Sequence, residues 1–194
     1  MADKKNKQGF DTRAIHAGQE PDPTTGAIMT PIYTSSTYVQ ESPGVHKGYD
    51  YSRSINPTRK ALEVCIADLE GSSFGYAFSS GMAACSTVLE VLNSGDHVLA
   101  MDDLYGGTYR LFEDVRKRSA GLEFTFSDLS DLSTLKSSIT SNTKMIWVET
   151  PTNPLLKIVD LLEIAKFAKE NNLISVCDNT FCSPYLQNPL ELGF

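Results

Sequence analysis

The chain has 194 residues, with 17 Lys plus Arg against 24 Asp plus Glu and a formal net charge of −7. Hydrophobic residues make up 41% and charged residues 21%, values of an ordinary globular protein and not of a disordered or fibrous one. The acidic balance argues against a nucleic-acid partner, because there is no excess positive charge to displace counterions from phosphates, and no apolar run approaches the ~20 residues needed to span a bilayer.

The first seven residues, Met1 to Lys7, are charged, but no apolar h-region follows, so they do not read as a signal peptide. Residues 1 to 55 are rich in Thr, Ser, Pro, Gly and Tyr and show no sustained period; Pro21, Pro23, Pro31 and Pro43 punctuate them. A structureless stretch of that length does not suit a loop inside a compact domain. It reads as an extended arm lying across another surface, where Tyr33, Tyr38, Tyr49 and Tyr51 find contacts.

Asn56 opens a different pattern. It suits an N-cap, and Pro57 suits the first helical position, where its missing N–H costs nothing. Leu62, Cys65, Ile66 and Leu69 recur at helical spacing until Gly71. Strands are then predicted at 74–78, 97–101, 122–126, 144–149 and 173–177. Helices are predicted at 81–92, 107–119, 129–139 and 159–170. This alternation implies βαβ crossovers and a mostly parallel sheet with helices on both faces, that is, an α/β domain over residues 56–194. The chain stops at Phe194 just after a strand and a turn, with no closing helix. That reads as a fragment of a longer polypeptide, or as a break or modified residue in the record. Cys65, Cys85, Cys177 and Cys182 lack metal-site spacing, and three lie in apolar stretches, so a reducing cytoplasm is expected.

In open α/β sheets, ligands bind beyond the carboxyl ends of the strands. Ser79-Ser80-Gly81-Met82-Ala83-Ala84 joins a strand to a helix there, and free N–H groups at such a helix start suit an anion; an ordinary connecting turn has the same composition. It is neither a P-loop nor G-x-G-x-x-G. Leu104-Tyr105-Gly106-Gly107-Thr108 offers a flat aromatic face, or else a half-buried loop Tyr. Glu149-Thr150-Pro151-Thr152-Asn153-Pro154 is a stiff loop that suits a ligand or a plain turn. Asp178 ends an apolar strand, where a carboxylate needs a partner: a helix cap, a loop hydrogen bond or a cationic ligand. Arg53 suits a phosphate clamp or a solvated position.

Taken in order, Tyr51-Ser52-Arg53-Ser54-Ile55-Asn56-Pro57-Thr58, the SSGMAA turn, Asp103-Leu104-Tyr105-Gly106-Gly107-Thr108, the ETPTNP loop and Asp178-Asn179-Thr180-Phe181 resemble the Cys/Met-metabolism family of pyridoxal-phosphate (PLP) enzymes, over about the N-terminal half of a member. The resemblance implies an incomplete large domain of the aspartate aminotransferase-like PLP-dependent transferase fold. It implies PLP as cofactor, a small amino-acid substrate and a homo-oligomer with shared active sites, a dimer of dimers.

By the same resemblance, the backbone at Gly81 and Met82 holds the phosphate, and Tyr51 and Arg53 reach it from a neighbouring subunit. Tyr105 stacks on the ring and assists catalysis, Asp178 pairs with the ring nitrogen and Thr180 sits close to the ring. Asn153 approaches the ring hydroxyl and the substrate carboxylate, and Tyr51 also belongs to the substrate side. The family's Schiff-base lysine, in a Ser-x-Thr-Lys stretch, falls beyond residue 194. Gly107, where methionine γ-lyases carry Cys, and Asp50, suited to the distal ammonium of cystathionine, favour a cystathionine γ-lyase or γ-synthase over a cystathionine β-lyase or methionine γ-lyase. Two other classes compete: a nicotinamide-dependent α/β oxidoreductase, which needs the missing Gly-rich fingerprint, and a non-catalytic interaction module.

Overall fold

Four short parallel strands organise the computed structural model, which describes residues 8–194. The charged stretch read as unlike a signal peptide lies outside the described residues. The chain forms two compact units, one ending at Ala77 and one running from Phe78 to Phe194.

The first unit contains helices α1 (Phe10–His16) and α2 (Pro57–Leu69). Helix α1 falls within the stretch expected to lack regular structure. Seven residues without a buried side chain carry no periodic signal, and α1 is held instead by Arg13, whose Nη1 donates to the Asp68 carbonyl at 2.6 Å and to its Oδ1 at 2.9 Å. Helix α2 starts as its sequence predicts. The Asn56 side-chain oxygen accepts from the amides of Thr58 at 2.9 Å and Arg59 at 3.3 Å, while its Nδ2 donates to the Tyr33 carbonyl at 3.0 Å. Thr58 Oγ1 donates to the Pro31 carbonyl at 2.9 Å. These bonds tie the N-terminal segment to the start of α2, so this helix groups with the first unit, whereas the sequence reading began the α/β domain at residue 56. The strand expected at 74–78 is not formed. Phe74 and Tyr76 are 73% and 76% exposed, and the Ala77 amide turns to the Glu63 carboxylate at 3.2 Å instead of to a neighbouring strand.

The second unit alternates helix and strand. Helix α3 (Gly81–Val88) ends in a 3-10 turn, Leu89–Val91, and leads to β1 (His97–Met101). Helix α4 (Gly106–Arg110) continues through a π-helical stretch, Leu111–Arg116, into α5 (Lys117–Ser119). Next come β2 (Glu123–Ser127), a 3-10 turn at Leu132–Thr134, α6 (Leu135–Ser138), β3 (Thr143–Glu149), α7 (Leu161–Glu170) and β4 (Ile174–Asp178). The helix expected at 129–139 is thus a turn and a single coil. Helix α7 starts two residues later than expected, where Asp160 accepts the Glu163 amide at 3.1 Å.

All four strands run parallel in the order β2-β1-β3-β4. Val98 to Met101 have no solvent exposure. Because side chains alternate along a strand, both faces of β1 are covered. Phe112, in the π-helical stretch, stacks on Phe124 at 4.8 Å and meets Trp147 edge-on at 5.1 Å. After β1 the chain builds β2 on one side and then crosses to β3 on the other. The connections therefore diverge beyond the carboxyl ends of β1 and β3, where open α/β sheets form a ligand crevice.

Candidate active site

A cavity of about 360 Å³ lies at that divergence. Its walls come from the start of α3 and from the segments following β1, β3 and β4.

Ser80 caps α3 by accepting the Ala83 amide on its Oγ at 3.1 Å. The amides of Gly81 and Met82 then have no partner among the described residues, and a Cβ built on Gly81 would meet nothing within 4 Å. Open amides at the positive end of a helix favour an anion. Tyr105 precedes α4 and stands at the cavity wall, the residue 48% exposed. A Cβ at Gly107 would lie 2.5 Å from Tyr105 Cε1 and 3.0 Å from Met82 Sδ, so the ring takes this position only beside glycine.

The loop after β3 is fixed from several sides. Glu149 Oε2 accepts the Tyr105 amide at 3.0 Å, and its Oε1 accepts the Asn153 amide at 2.9 Å. Buried Asp103 accepts from Thr152 Oγ1 and from the Leu155 amide, the latter at 3.0 Å. Lys157 Nζ donates to both oxygens of Asp102 at 3.1 Å and to Asp128 Oδ2 at 2.8 Å. The Lys157 ammonium, helped by Ser130, holds the Asp128 carboxyl down to about 2.

Asp178 ends β4 directly beside Glu149. Its Oδ1 accepts both the amide, at 3.1 Å, and the hydroxyl of Thr180, while Oδ2 has no partner among the described residues. One acceptor therefore remains for a cation. Burial above all, and then the Asp178 charge, raises the Glu149 pKa, against the two backbone bonds that lower it. Burial, with the same Asp178 charge, pushes the Cys85 thiol up to about 11, so it remains protonated and is a poor nucleophile at neutral pH.

Six of the residues singled out in sequence, Gly81, Met82, Tyr105, Asn153, Asp178 and Thr180, line this one cavity. Asp50, Tyr51 and Arg53 belong to the first unit. There Arg53 Nη2 donates to the Tyr51 hydroxyl at 3.1 Å, its guanidinium lies 5.0 Å from that ring, and Asp50 Oδ1 accepts the Tyr51 amide at 2.7 Å. The cavity is also lined by Ser80, Thr108 and Glu149, which sequence reasoning quoted within the motifs but gave no role of their own, and by Cys85, which it read only for its redox setting. Glu149 carried the same signal as Asp178, an acid closing an apolar strand. Among the described residues, no cluster of three or more His, Cys, Asp or Glu is arranged to hold a metal, and no helix is long and apolar enough to cross a membrane.

An open carboxylate oxygen, free helix amides and an exposed phenol ring around one cavity fit a planar cationic heterocycle that carries an anionic tail. Known proteins share this chain's sequence and fold. It is 64% identical to a cystathionine beta-lyase of Coxiella burnetii, over 100% of this chain and 50% of that protein. It is 50% identical to a probable cystathionine gamma-synthase of Herpetosiphon aurantiacus, over 95% of this chain and 58% of that one. Its fold matches the crystal structure of cystathionine gamma-lyase from Lactobacillus plantarum complexed with L-serine, with a TM-score of 0.92 and 49% identity over 96% of this chain and 48% of that one. The chain thus spans about half the length of the relatives it matches. With the family model for Cys/Met metabolism PLP-dependent enzymes also matching residues 11–194, the chain belongs to that family.

Proposed function

We propose that this chain is the PLP-holding half of an enzyme that carries out γ-elimination or γ-replacement on cystathionine-type substrates. The observation that carries the reading is the convergence of the Asp178 carboxylate, the α3 amides and the Tyr105 ring on one cavity at the sheet's divergence.

Bound PLP supplies an electron sink for the carbanion charge that develops on an amino acid. Asp178 Oδ2 holds a proton on the ring nitrogen, since each of two opposite charges favours the charged form of the other. The amides of Gly81 and Met82 bind the phosphate. Tyr105 orients the ring by stacking, and its phenol helps to move protons. Asn153 approaches the ring hydroxyl and the substrate carboxylate, and Thr180 fixes the Asp178 rotamer from beside the ring. Tyr51 and Arg53 complete the phosphate site from a neighbouring subunit, with Asp50 set to meet the distal ammonium of the substrate. Support for an arm that lies on another copy comes from its apolar residues: Ile32 is 84% and Val39 91% exposed. A homo-oligomer of at least two copies follows from that shared site; a dimer of dimers is the assembly that the family resemblance implies. The thiols of Cys65, Cys85 and Cys182 support a reducing, cytoplasmic setting.

Asp50, which matches an acidic position of the cystathionine γ-enzymes, favours the γ-chemistry, and Gly107 argues against a methionine γ-lyase. The similarity to a protein named cystathionine beta-lyase favours β-cleavage as the second reading. Purified full-length protein is expected to be yellow with PLP and to bleach with borohydride. Given cystathionine and water, γ-cleavage releases cysteine, 2-oxobutanoate and ammonia, whereas β-cleavage releases homocysteine, pyruvate and ammonia. Colourless protein that takes up no PLP refutes the proposal.

A further inference from the structure

Glu149 is 5% exposed, and both of its oxygens are occupied by the protein itself. One accepts the amide of Tyr105 and the other that of Asn153, so a single carboxylate joins the segments that follow β1 and β3. A carboxylate is an expensive choice at this position. It is buried, and it stands beside another acid, Asp178. A glutamine would avoid the charge, but its amide end places an acceptor oxygen on one side and a donor NH2 on the other, so it cannot receive an N–H group at both of the positions that the two oxygens of Glu149 occupy. An aspartate is one carbon shorter. The requirement for two acceptors accounts for a glutamate despite its electrostatic cost.

We infer that Glu149 is a positioning residue that sets the spacing between Tyr105 and Asn153 across the cavity. It acts through backbone rather than by touching the ligand. Its effect on a bound heterocycle rests on the proposed function; the clamp itself does not. A loose clamp lets the stacking ring and the facing amide drift apart, and misplacement of about 1 Å in an active site costs up to about a hundredfold in rate.

The test is hydrogen–deuterium exchange on the full-length holoenzyme and its Glu149→Gln and Glu149→Ala variants. Release is expected in steps. Glu149→Gln frees one of the two segments, 103–109 or 150–156, and Glu149→Ala frees both, while β1 keeps its protection. Cofactor release quickens by about tenfold in Glu149→Ala, and kcat falls more than KM changes, as expected when orientation and not ground-state binding is lost. Unchanged exchange of both segments in Glu149→Ala overturns the inference. So does loss of protection across β1 in both variants, which assigns the residue to folding. If Glu149→Ala alone unfolds, release of one segment in Glu149→Gln supports the clamp and release of neither overturns it. Wild-type protein that binds no PLP sinks the proposed function, while the exchange pattern still decides the clamp.

Discussion

Glu149 and Asp178 face each other across two neighbouring parallel strands, each at its strand's last position. Two adjacent acids in a partly dry site repel, and the fold gives them different work. Glu149 is held by two backbone amides, whereas among the described residues Asp178 is held through one oxygen only. The acid with the open oxygen is the one left able to receive a cation from the cavity.

Asp178→Asn therefore tests the ligand-facing role. The amide is nearly isosteric, and its oxygen still accepts from Thr180, so the fold is expected to hold. Turnover in the full-length enzyme is expected to fall by at least about a hundredfold, the scale of losing one well-placed electrostatic partner. Removing the Asp178 charge also lets the Glu149 pKa move back toward its ordinary value, readable by carboxyl-labelled NMR titration. A normal kcat in this variant contradicts the assignment.

Gly107→Ala probes the packing of Tyr105. The added methyl meets the ring at a distance that real contacts do not show, so the ring must swing away. Overpacking of this kind costs about 1–3 kcal/mol. PLP affinity in the full-length protein is expected to fall by about tenfold, a loss that equilibrium dialysis measures, with the sheet's circular dichroism unchanged.

The shared-site proposal is tested by mixing. Arg53→Ala and Tyr105→Ala full-length proteins are each expected to lose cofactor or activity. Hybrid dimers made from the two carry one site with both native groups and should regain activity. No recovery in stable hybrids rules out donation of Arg53 across subunits.

His97 sits at the opposite end of β1, buried between the hydroxyls of Thr143 at 2.8 Å and Thr125 at 2.9 Å. Burial lowers its pKa, with Glu123 acting weakly the other way. The unfolded chain, with a His pKa of about 6.5, thus binds a proton more readily than the folded one. The stability from neutral His97 is present above that value and is lost as pH falls toward the lower, folded pKa. Urea midpoints taken from pH 7.5 down to 5 are expected to drop in wild type and to drop less in His97→Gln. Equal slopes contradict a buried neutral imidazole.

Much of this was legible in the residues alone. The Asn56-Pro57 pair announces its helix because both cap chemistries are local. Strands β1 and β3 announce themselves as unbroken apolar runs because both faces are covered. What depends on distant partners was hidden. Residues 74–78 are apolar and aromatic, but strand formation needs a neighbour to pair with. The π-helical stretch holding Phe112 leaves the helical period nearly intact, so it reads as plain helix. Of the six cavity residues, Gly81, Tyr105 and Asp178 were legible because anion, ring and cation each demand a recognisable side chain or glycine, whereas Met82, Asn153 and Thr180 came from the family resemblance. Glu149 escaped because its partners are backbone amides, one of them 44 residues away, and backbone carries no letter in a sequence.

Lys157 binds the acids that follow β1 and β2 from a loop that follows β3. Three strand ends are thereby stapled by one ammonium that lies outside the cavity lining. The rim holds its shape through contacts that owe nothing to an occupant. A preorganised rim of this kind spares an arriving molecule most of the ordering cost of capture.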